Sequence, residues 1–292
     1  PTRILTARKV PIHFEKEAKA EIEKFLRQGI IEKVDHPTDW ISPAMFVPKG
    51  NGGVRLVADL TGLNKFTKRP VHPFPTAAEI TASIPAGSKW FAALDAQKGY
   101  FQVELDERDR DLTTVLLPFV GRVRFARSPM GLGASADEWN RRSDACLEGL
   151  EGVQKIVDDI LVFADSEETL MGRLRAVLDR CRRGGIALSR KKATVGPTVP
   201  FAGYIISAEG VRPDPSRMAA IRDFPRPESV TDLRAFMGLA NQLGQFVPDL
   251  AHMMEPLRGL LKKGVAFQWL PDHETAFIAA RRILSKIGRA HV

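Results

Sequence analysis

Cysteine is scarce in this 292-residue sequence, with two residues, Cys146 and Cys181. That excludes a disulfide scaffold and a cysteine zinc site. It fits a reducing compartment, although few cysteines is also compatible with secretion. No apolar run approaches the ~20 residues needed to span a bilayer, and the start does not read as a signal peptide. There is no internal repeat and no low-complexity tract. Hydrophobic residues make up 44% and charged residues 27%. Such a composition is globular and excludes wholesale disorder, collagen and coiled coil. At about 100–200 residues per domain, the length predicts about two domains, enough to bury a core without staples. The first residue is Pro1 rather than Met, so a piece of a longer protein is expected.

Negative charge is under-represented. Lys and Arg number 43 against 35 Asp and Glu, a net of +8. A polyanion partner becomes plausible, because each basic contact to a phosphate releases condensed counterions; an ordinary basic surface is the alternative. The excess is concentrated. Arg173, Arg175, Arg180, Arg182, Arg183, Arg190, Lys191 and Lys192 face only Asp179 between Met171 and Ala193.

The spacing predicts a helix over 14–27, with Gly29 ending it. Residues 48–53, rich in glycine, predict a turn between strands 44–47 and 54–57. Pro70, Pro73 and Pro75 mark an extended connector. Trp90 to Leu94 reads as a buried strand ending in Asp95. The spacing of Ser135 and Glu138 predicts a capping box opening a helix that reaches about Gly149. Ile156-Val157 and Ile160–Phe163 read as strands around Asp158-Asp159. A helix starting near Asp165 should bury Leu170, Leu174, Val177, Leu178 and Cys181 and stop at Gly184-Gly185. Pro213, Pro215, Pro225 and Pro227 punctuate a linker-like stretch. Ser229 then caps a helix carrying Val230, Leu233, Phe236, Met237 and Phe246, and a second helix runs near 250–261. The whole reads as a mixed α+β body followed by a smaller helical unit.

Chemistry concentrates in carboxylates. Adjacent Asp158 and Asp159 in a tight turn repel each other unless something positive sits there. Such oxygen donors suit Mg²⁺, which is usually held by one or two carboxylates plus substrate phosphates. Taken alone, Asp is also simply a good turn former. Asp95, at the end of an apolar strand, shifts the balance. Three carboxylates at strand ends in a basic protein fit a two-metal phosphoryl-transfer site.

Several segments then carry a resemblance. Leu94–Gln102 resembles the first catalytic motif of reverse transcriptases, and Lys155–Val162 the second. Ser128–Leu132 is similar to a segment of gypsy-type retrotransposon enzymes. Phe201–Tyr204 and Glu209–Pro213 resemble their primer-grip hairpin and its continuation. Phe236–Leu239, Pro256-Leu257 and Phe267–Trp269 resemble their thumb and the stretch beyond. The match is collinear from about Ile12 to Phe277.

The resemblance implies an α+β right-hand polymerase fold of fingers, palm with antiparallel sheet, and helical thumb. It places fingers and the start of the palm at 1–85 and the palm at 86–210. Within the palm, a fingers segment is inserted around 105–130 and the primer grip lies at 200–207. The thumb would span 211–270, and a connection leading toward RNase H would start at 271–286. It implies an RNA-directed DNA polymerase using Mg²⁺ or Mn²⁺, an RNA or DNA template with its primer duplex, and deoxynucleoside triphosphates. RNase H and integrase would belong to the full-length Pol chain. It implies no membrane partner and an intracellular setting, in a cytoplasmic virus-like particle. Asp95, Asp158 and Asp159 would be the catalytic, metal-holding carboxylates. Lys49 and Arg55 would clamp the triphosphate, the Arg as a planar fork and the Lys as a point charge. The backbone of Ala96 would contact nucleotide phosphates. Met130 and Gly131 would lie beside the sugar. Tyr100 would be the steric gate against a 2′-hydroxyl, and Lys192 a proton donor to pyrophosphate or a further backbone contact. Ala202, Gly203 and Tyr204 would position the primer terminus, Gly203 by allowing close approach.

Some positions depart from the pattern. Ile156 stands where most members have Tyr, Thr61 replaces an Arg, and residues 241–246 replace a more basic thumb stretch. None of these removes a metal ligand. The alternative is a catalytically inactive remnant that only binds nucleic acid; a palm polymerase making RNA and a metal phosphatase fit less well. Residues 287–292 do not match the family. The string ATCGGAAGAGCACACGTC, a common sequencing-library adapter, encodes these six residues, so a non-native tail is expected there.

Overall fold

The computed structural model describes residues 4, 6–50, 52–73, 75–285 and 287. Of the segment 287–292, only Ile287 falls among them. In chain order the elements are α1 (Glu15–Arg27), β1 (Ile31–Lys33), β2 (Ala44–Pro48), β3 (Val54–Ala58), α2 (Thr61–Asn64), α3 (Ala77–Ala82) and β4 (Trp90–Asp95). There follow α4 (Glu107–Arg110), β5 (Val115–Leu117), β6 (Gly121–Phe125), α5 (Gly133–Leu147), β7 (Val153–Ile156), β8 (Asp159–Ala164) and α6 (Glu167–Arg183). The remainder holds β9 (Thr194–Gly196), β10 (Thr198–Phe201), β11 (Tyr204–Ser207), β12 (Gly210–Pro213), α7 (Pro215–Arg222), α8 (Val230–Gln242), α9 (Leu250–Met253), α10 (Glu255–Gly259) and α11 (Pro271–Leu284).

The chain forms two compact units. One comprises Pro1–Pro75, Leu94–Ile160 and Arg173–Lys192; the other comprises Thr76–Ala93, Leu161–Gly172 and Ala193–Val292. A four-stranded sheet has the order β7-β8-β4-β9, and the boundary passes within β4 and β8.

In the first unit β2 and β3 pair antiparallel, Ala44 opposite Ala58 and Pro48 opposite Val54. A second antiparallel sheet has the order β1-β6-β5. Their apolar faces share a core with α1, whose Ile22 and Phe25 are buried among Leu56, Val115, Val123 and Phe125. Gly29 ends α1 as expected, at φ +60°.

The second unit holds the antiparallel sheet β10-β11-β12 and the helices α7 to α11. Phe236 of α8 meets Phe277 of α11 edge to face at 4.7 Å. Such a pair adds about 0.5–1.5 kcal/mol beyond its burial.

Five expectations need correction. Ser135 does not cap α5: the N-cap is Leu132 without a side-chain bond. The Ser135 hydroxyl is buried and donates to the Pro129 carbonyl at 2.8 Å, while Glu138 pairs with Arg141 and Arg142. Leu178 is 42% exposed whereas Leu170, Leu174, Val177 and Cys181 are buried. Those four keep the i+4, i+3, i+4 spacing of one helix face, and Leu178 stands one residue off it. The first half of the stretch after Gly210 is not a linker. Pro213 ends β12 and Pro215 opens α7, where Asp214 caps the helix and Pro215 takes the first turn, a position that needs no N–H; Pro225 and Pro227 do lie in an irregular connection, between α7 and α8. The helix expected near 250–261 is two short helices, α9 and α10, meeting at Met254 beside Pro256. Helix α8 starts at its Ser229 cap as expected but ends at Gln242, so Phe246 falls in a separate 3-10 turn. The spacing argument did not find α11.

Candidate active site

Residues from four segments of the first unit converge around the Asp158 hairpin. The end of β4 brings Asp95. The Ala96 N–H donates to the Asp158 carbonyl at 2.8 Å, which locks the strand end to the hairpin. The turn itself is Val157-Asp158, because Asp159 already begins β8. Val157 has φ +53°. A β-branched residue in the left-handed region costs about 1–3 kcal/mol and persists only where its surroundings impose it. Here Trp139 Nε1 of α5 donates to the Val157 carbonyl at 3.0 Å. Lys155 Nζ reaches the same carbonyl at 3.5 Å. Lys155 is buried and also holds Asn140 Oδ1 at 2.7 Å and Asp144 at 3.1 Å; its burial lowers its pKa.

The Asp158 Oδ1 atom is buried and has no hydrogen-bond partner. Burial first, then the charges of Asp95 and Asp159, push its carboxyl up to about 6. Asp159 is raised for the same reasons, burial before the Asp95 charge. The side chain of Asp95 is one-fifth exposed and its Oδ2 receives Lys192 Nζ at 2.8 Å. A buried acceptor with no donor, beside two further carboxylates, is what a bound cation would relieve. The donor set therefore fits a hard divalent ion, although among the described residues no three His, Cys, Asp or Glu side chains already form a cation cage.

Gly99 closes the floor of this site. A Cβ there would overlap Asp158 Oδ1 and stand 2.7 Å from Trp139 Cε2. Gly99→Ala is therefore expected to displace the carboxylate and cut turnover by about 10²-fold, the scale of an ångström misplacement. Steady-state rates checked against the melting temperature separate that from unfolding. Tyr100 follows in a short 3-10 helix, Gly99–Gln102. Its ring is half-buried beside Ala96, Val103 and Trp139, and burial, then the Asp158 charge, raise its phenol pKa.

The other expected site residues are placed as follows. Lys49 Nζ pairs with Glu21 at 3.3 Å. Arg55 is exposed on β3 with no ion-pair partner among the described residues. Met130 is half-buried. Gly131 has φ +97°, and a Cβ would stand 2.7 Å from the Ala58 carbonyl, so close packing already requires glycine there. The Ala96 N–H is engaged by Asp158, as described. Lys192 is two-thirds exposed on Asp95. Ala202, Gly203 and Tyr204 lie in the second unit, at the β10-β11 turn. There Tyr204 is buried and its hydroxyl donates to the Gln242 carbonyl at 3.1 Å.

Sequence reasoning missed supporting side chains. Gln102 donates to the Gln97 and Ala187 carbonyls at 2.8 and 3.0 Å, and accepts from the Ala187 N–H at 2.8 Å. It ties the loop after Asp95 to the loop after α6. Lys155 and Trp139 clamp the turn. Gln102 and Lys155 fall inside the quoted motifs, where their polarity was a usable signal; Trp139 carried none.

Residues 47–206 match the family model described as reverse transcriptase (RNA-dependent DNA polymerase). The chain is 30% identical over 260 residues to the retrovirus-related Pol polyprotein from transposon opus of Drosophila melanogaster, covering 86% of this chain and 26% of that protein. It is 31% identical over 253 residues to the Pol polyprotein from transposon gypsy of the same organism, covering 83% of this chain and 24% of that one. The chain thus spans about a quarter of the length of these relatives. Among solved structures, the foamy viral protease-reverse transcriptase dRH in complex with dsDNA superposes with a TM-score of 0.86 at 20% identity, covering 96% of this chain and 50% of that one. The foamy viral protease-reverse transcriptase in complex with RNA/DNA hybrid gives 0.85 at 19%, covering 96% and 38%. At such identity the likeness speaks for the polymerase fold. Since the family model covers more than half of its length, this chain belongs to the reverse transcriptase family.

Proposed function

We propose that this chain is the polymerase part of an LTR-retrotransposon Pol polyprotein, adding deoxynucleotides to a primer 3′ end under the direction of an RNA or DNA template. The observation that carries this reading is the unpartnered buried Asp158 Oδ1 beside Asp95 and Asp159. The primer 3′-oxygen attacks the α-phosphorus, the bond to pyrophosphate breaks, and the hydroxyl proton passes to solvent water. Asp95 and Asp158 would hold Mg²⁺ or Mn²⁺ directly, with Asp159 less direct. Two ions held there would lower the pKa of the attacking hydroxyl and neutralise charge on the pyrophosphate.

The remaining roles fall to side chains of this chain. Arg55, exposed and without an ion-pair partner among the described residues, takes the triphosphate as a fork, and Lys49 exchanges Glu21 for a phosphate. Lys192, once released from Asp95, would give a proton to pyrophosphate or serve as a further backbone contact. Tyr100 excludes the 2′-hydroxyl, and Met130 with Gly131 borders the sugar. Residues 1–85 are read as fingers with the start of the palm, 86–210 as palm and 211–270 as thumb.

Primer extension on an RNA template, with Mg²⁺ or Mn²⁺ and deoxynucleotides, tests the reading. Extension that stops in EDTA supports it. A folded chain that binds duplex but extends nothing would leave the inactive-remnant reading standing. A copying enzyme must accept any base, so binding should be backbone-directed. Duplex affinity is expected to fall about 10³-fold between 50 and 200 mM salt, as for proteins making several phosphate contacts. A titration by fluorescence anisotropy measures the slope, and salt-insensitive binding contradicts the electrostatic argument.

A further inference from the structure

The β10-β11 turn in the second unit is held by a residue that no motif singled out. The turn residues Ala202 and Gly203 have φ +48° and +83°. A Cβ on Gly203 would overlap the guanidinium of Arg217, so the arginine lies flat against the glycine where a side chain would stand. Arg217 Nη2 donates to the Ala202 carbonyl at 3.2 Å. The guanidinium carbon also stands 5.5 Å from the centre of the Tyr204 ring, within cation–π range. At the N-cap of α7, the Asp214 N–H donates to the Gly203 carbonyl at 3.2 Å.

Both carbonyls of the turn and the adjoining ring are thus gripped from α7. The helix is itself anchored, because Ile221 is buried in the core of Leu233, Phe236 and Phe277. Tyr204 is fixed from its other end by the Gln242 carbonyl. The turn thus has two holds, the Asp214 N–H on Gly203 and the planar Arg217 group on Ala202 and the Tyr204 ring. A lysine could supply the charge but not the flat fork that covers Gly203 while reaching Ala202.

We infer that Arg217 is a positioning residue for primer extension, holding the turn 202–203 in the pose that receives the primer terminus. This rests on the reading of the chain as a polymerase and of that turn as its primer contact. The requirement for glycine at 203 then has a second source: it seats the arginine.

The test compares the parent with Arg217→Met, which keeps the aliphatic stem over Gly203, and Arg217→Lys. Steady-state extension is measured alongside photo-crosslinking of a primer ending in 4-thiothymidine, which reports contact without turnover. Arg217→Met is expected to lower kcat/KM for the primer-template by about 10–100-fold, the scale of a sub-ångström to ångström misplacement. It should also weaken the crosslink to the segment 202–204 and leave the KM for deoxynucleotide unchanged. Arg217→Lys should fall between. Equal extension and crosslinking in both variants overturns the inference. So does a loss confined to the melting temperature with unchanged kinetics per folded molecule. A parent that extends primers yet does not crosslink at 202–204 overturns the inference and spares the polymerase reading. A folded parent that neither extends nor crosslinks overturns both.

Discussion

Asp158→Asn should abolish primer extension and yet melt higher than the parent at pH 7 in EDTA. The two effects share one cause. In the parent the Asp158 carboxylate is half-buried, its Oδ1 has no donor, and Asp95 and Asp159 add like charge. An amide removes that charge and with it the group proposed to hold a divalent ion. Removing one charge-stabilising group from an active site costs about 10²–10³-fold, and loss of a metal-holding carboxylate should cost at least that much. On the stability side, a carboxyl raised from 3.8 to about 6 carries its penalty fully above pH 6. The penalty fades as the pH falls toward the ordinary value, because the group is then protonated in both folded and unfolded chains. The gap between variant and parent should therefore be widest at pH 7 and close toward pH 4. Partial exposure screens the effect, so a gain of about 2 °C is the expected scale. Thermal melts in EDTA at several pH values measure it. A variant that melts lower than the parent at pH 7 would show that the carboxylates do not repel as the geometry implies.

Tyr100→Ala should admit ribonucleotides. The ring sits in the first turn after Gly99, on the same short helix that floors the Asp158 carboxylate. It packs against Ala96, Val103 and Trp139, so its position is set by tertiary contacts rather than by a mobile loop. With the ring removed, discrimination against the 2′-hydroxyl should fall by about 10²-fold, the scale at which a pocket wall rejects a small extra group. Tyr100→Phe keeps the ring and should keep the selectivity. The measurement is the ratio of kcat/KM for a deoxynucleotide and its ribonucleotide. An unchanged ratio in Tyr100→Ala removes the gate from Tyr100.

Much of this was legible in the chain because it depends on local order. The strand that ends in Asp95, the Gly-rich turn between β2 and β3, and the Ser229 cap of α8 each follow from residues within a few positions of one another. The collinear segments extend that logic to the family. Failures arose where a local signal had a non-local competitor. Ser135 carries capping-box spacing, but Pro129 and Ser128 claim its hydroxyl. Pro213 and Pro215 look like breakers, yet sit where a strand ends and a helix begins. Leu178 is as apolar as its neighbours and faces solvent because the helix repeat turns it away.

The sequence alone determined which groups carry the charge and where the chain must turn, since residue type and spacing decide hydropathy period, caps and carboxylate positions. Only the tertiary structure decided how those groups meet. Trp139 is 18 positions before the carbonyl it holds, Val157. Gln102 is 85 positions from Ala187, and Lys192 is 97 from Asp95. No local propensity encodes such separations; they close because burying the apolar faces of strands and helices brings distant segments together, and the polar atoms caught in that collapse must find partners. Asp158 Oδ1 found none, and that unsatisfied oxygen beside two further carboxylates, visible only once the chain is folded, is what marks the site.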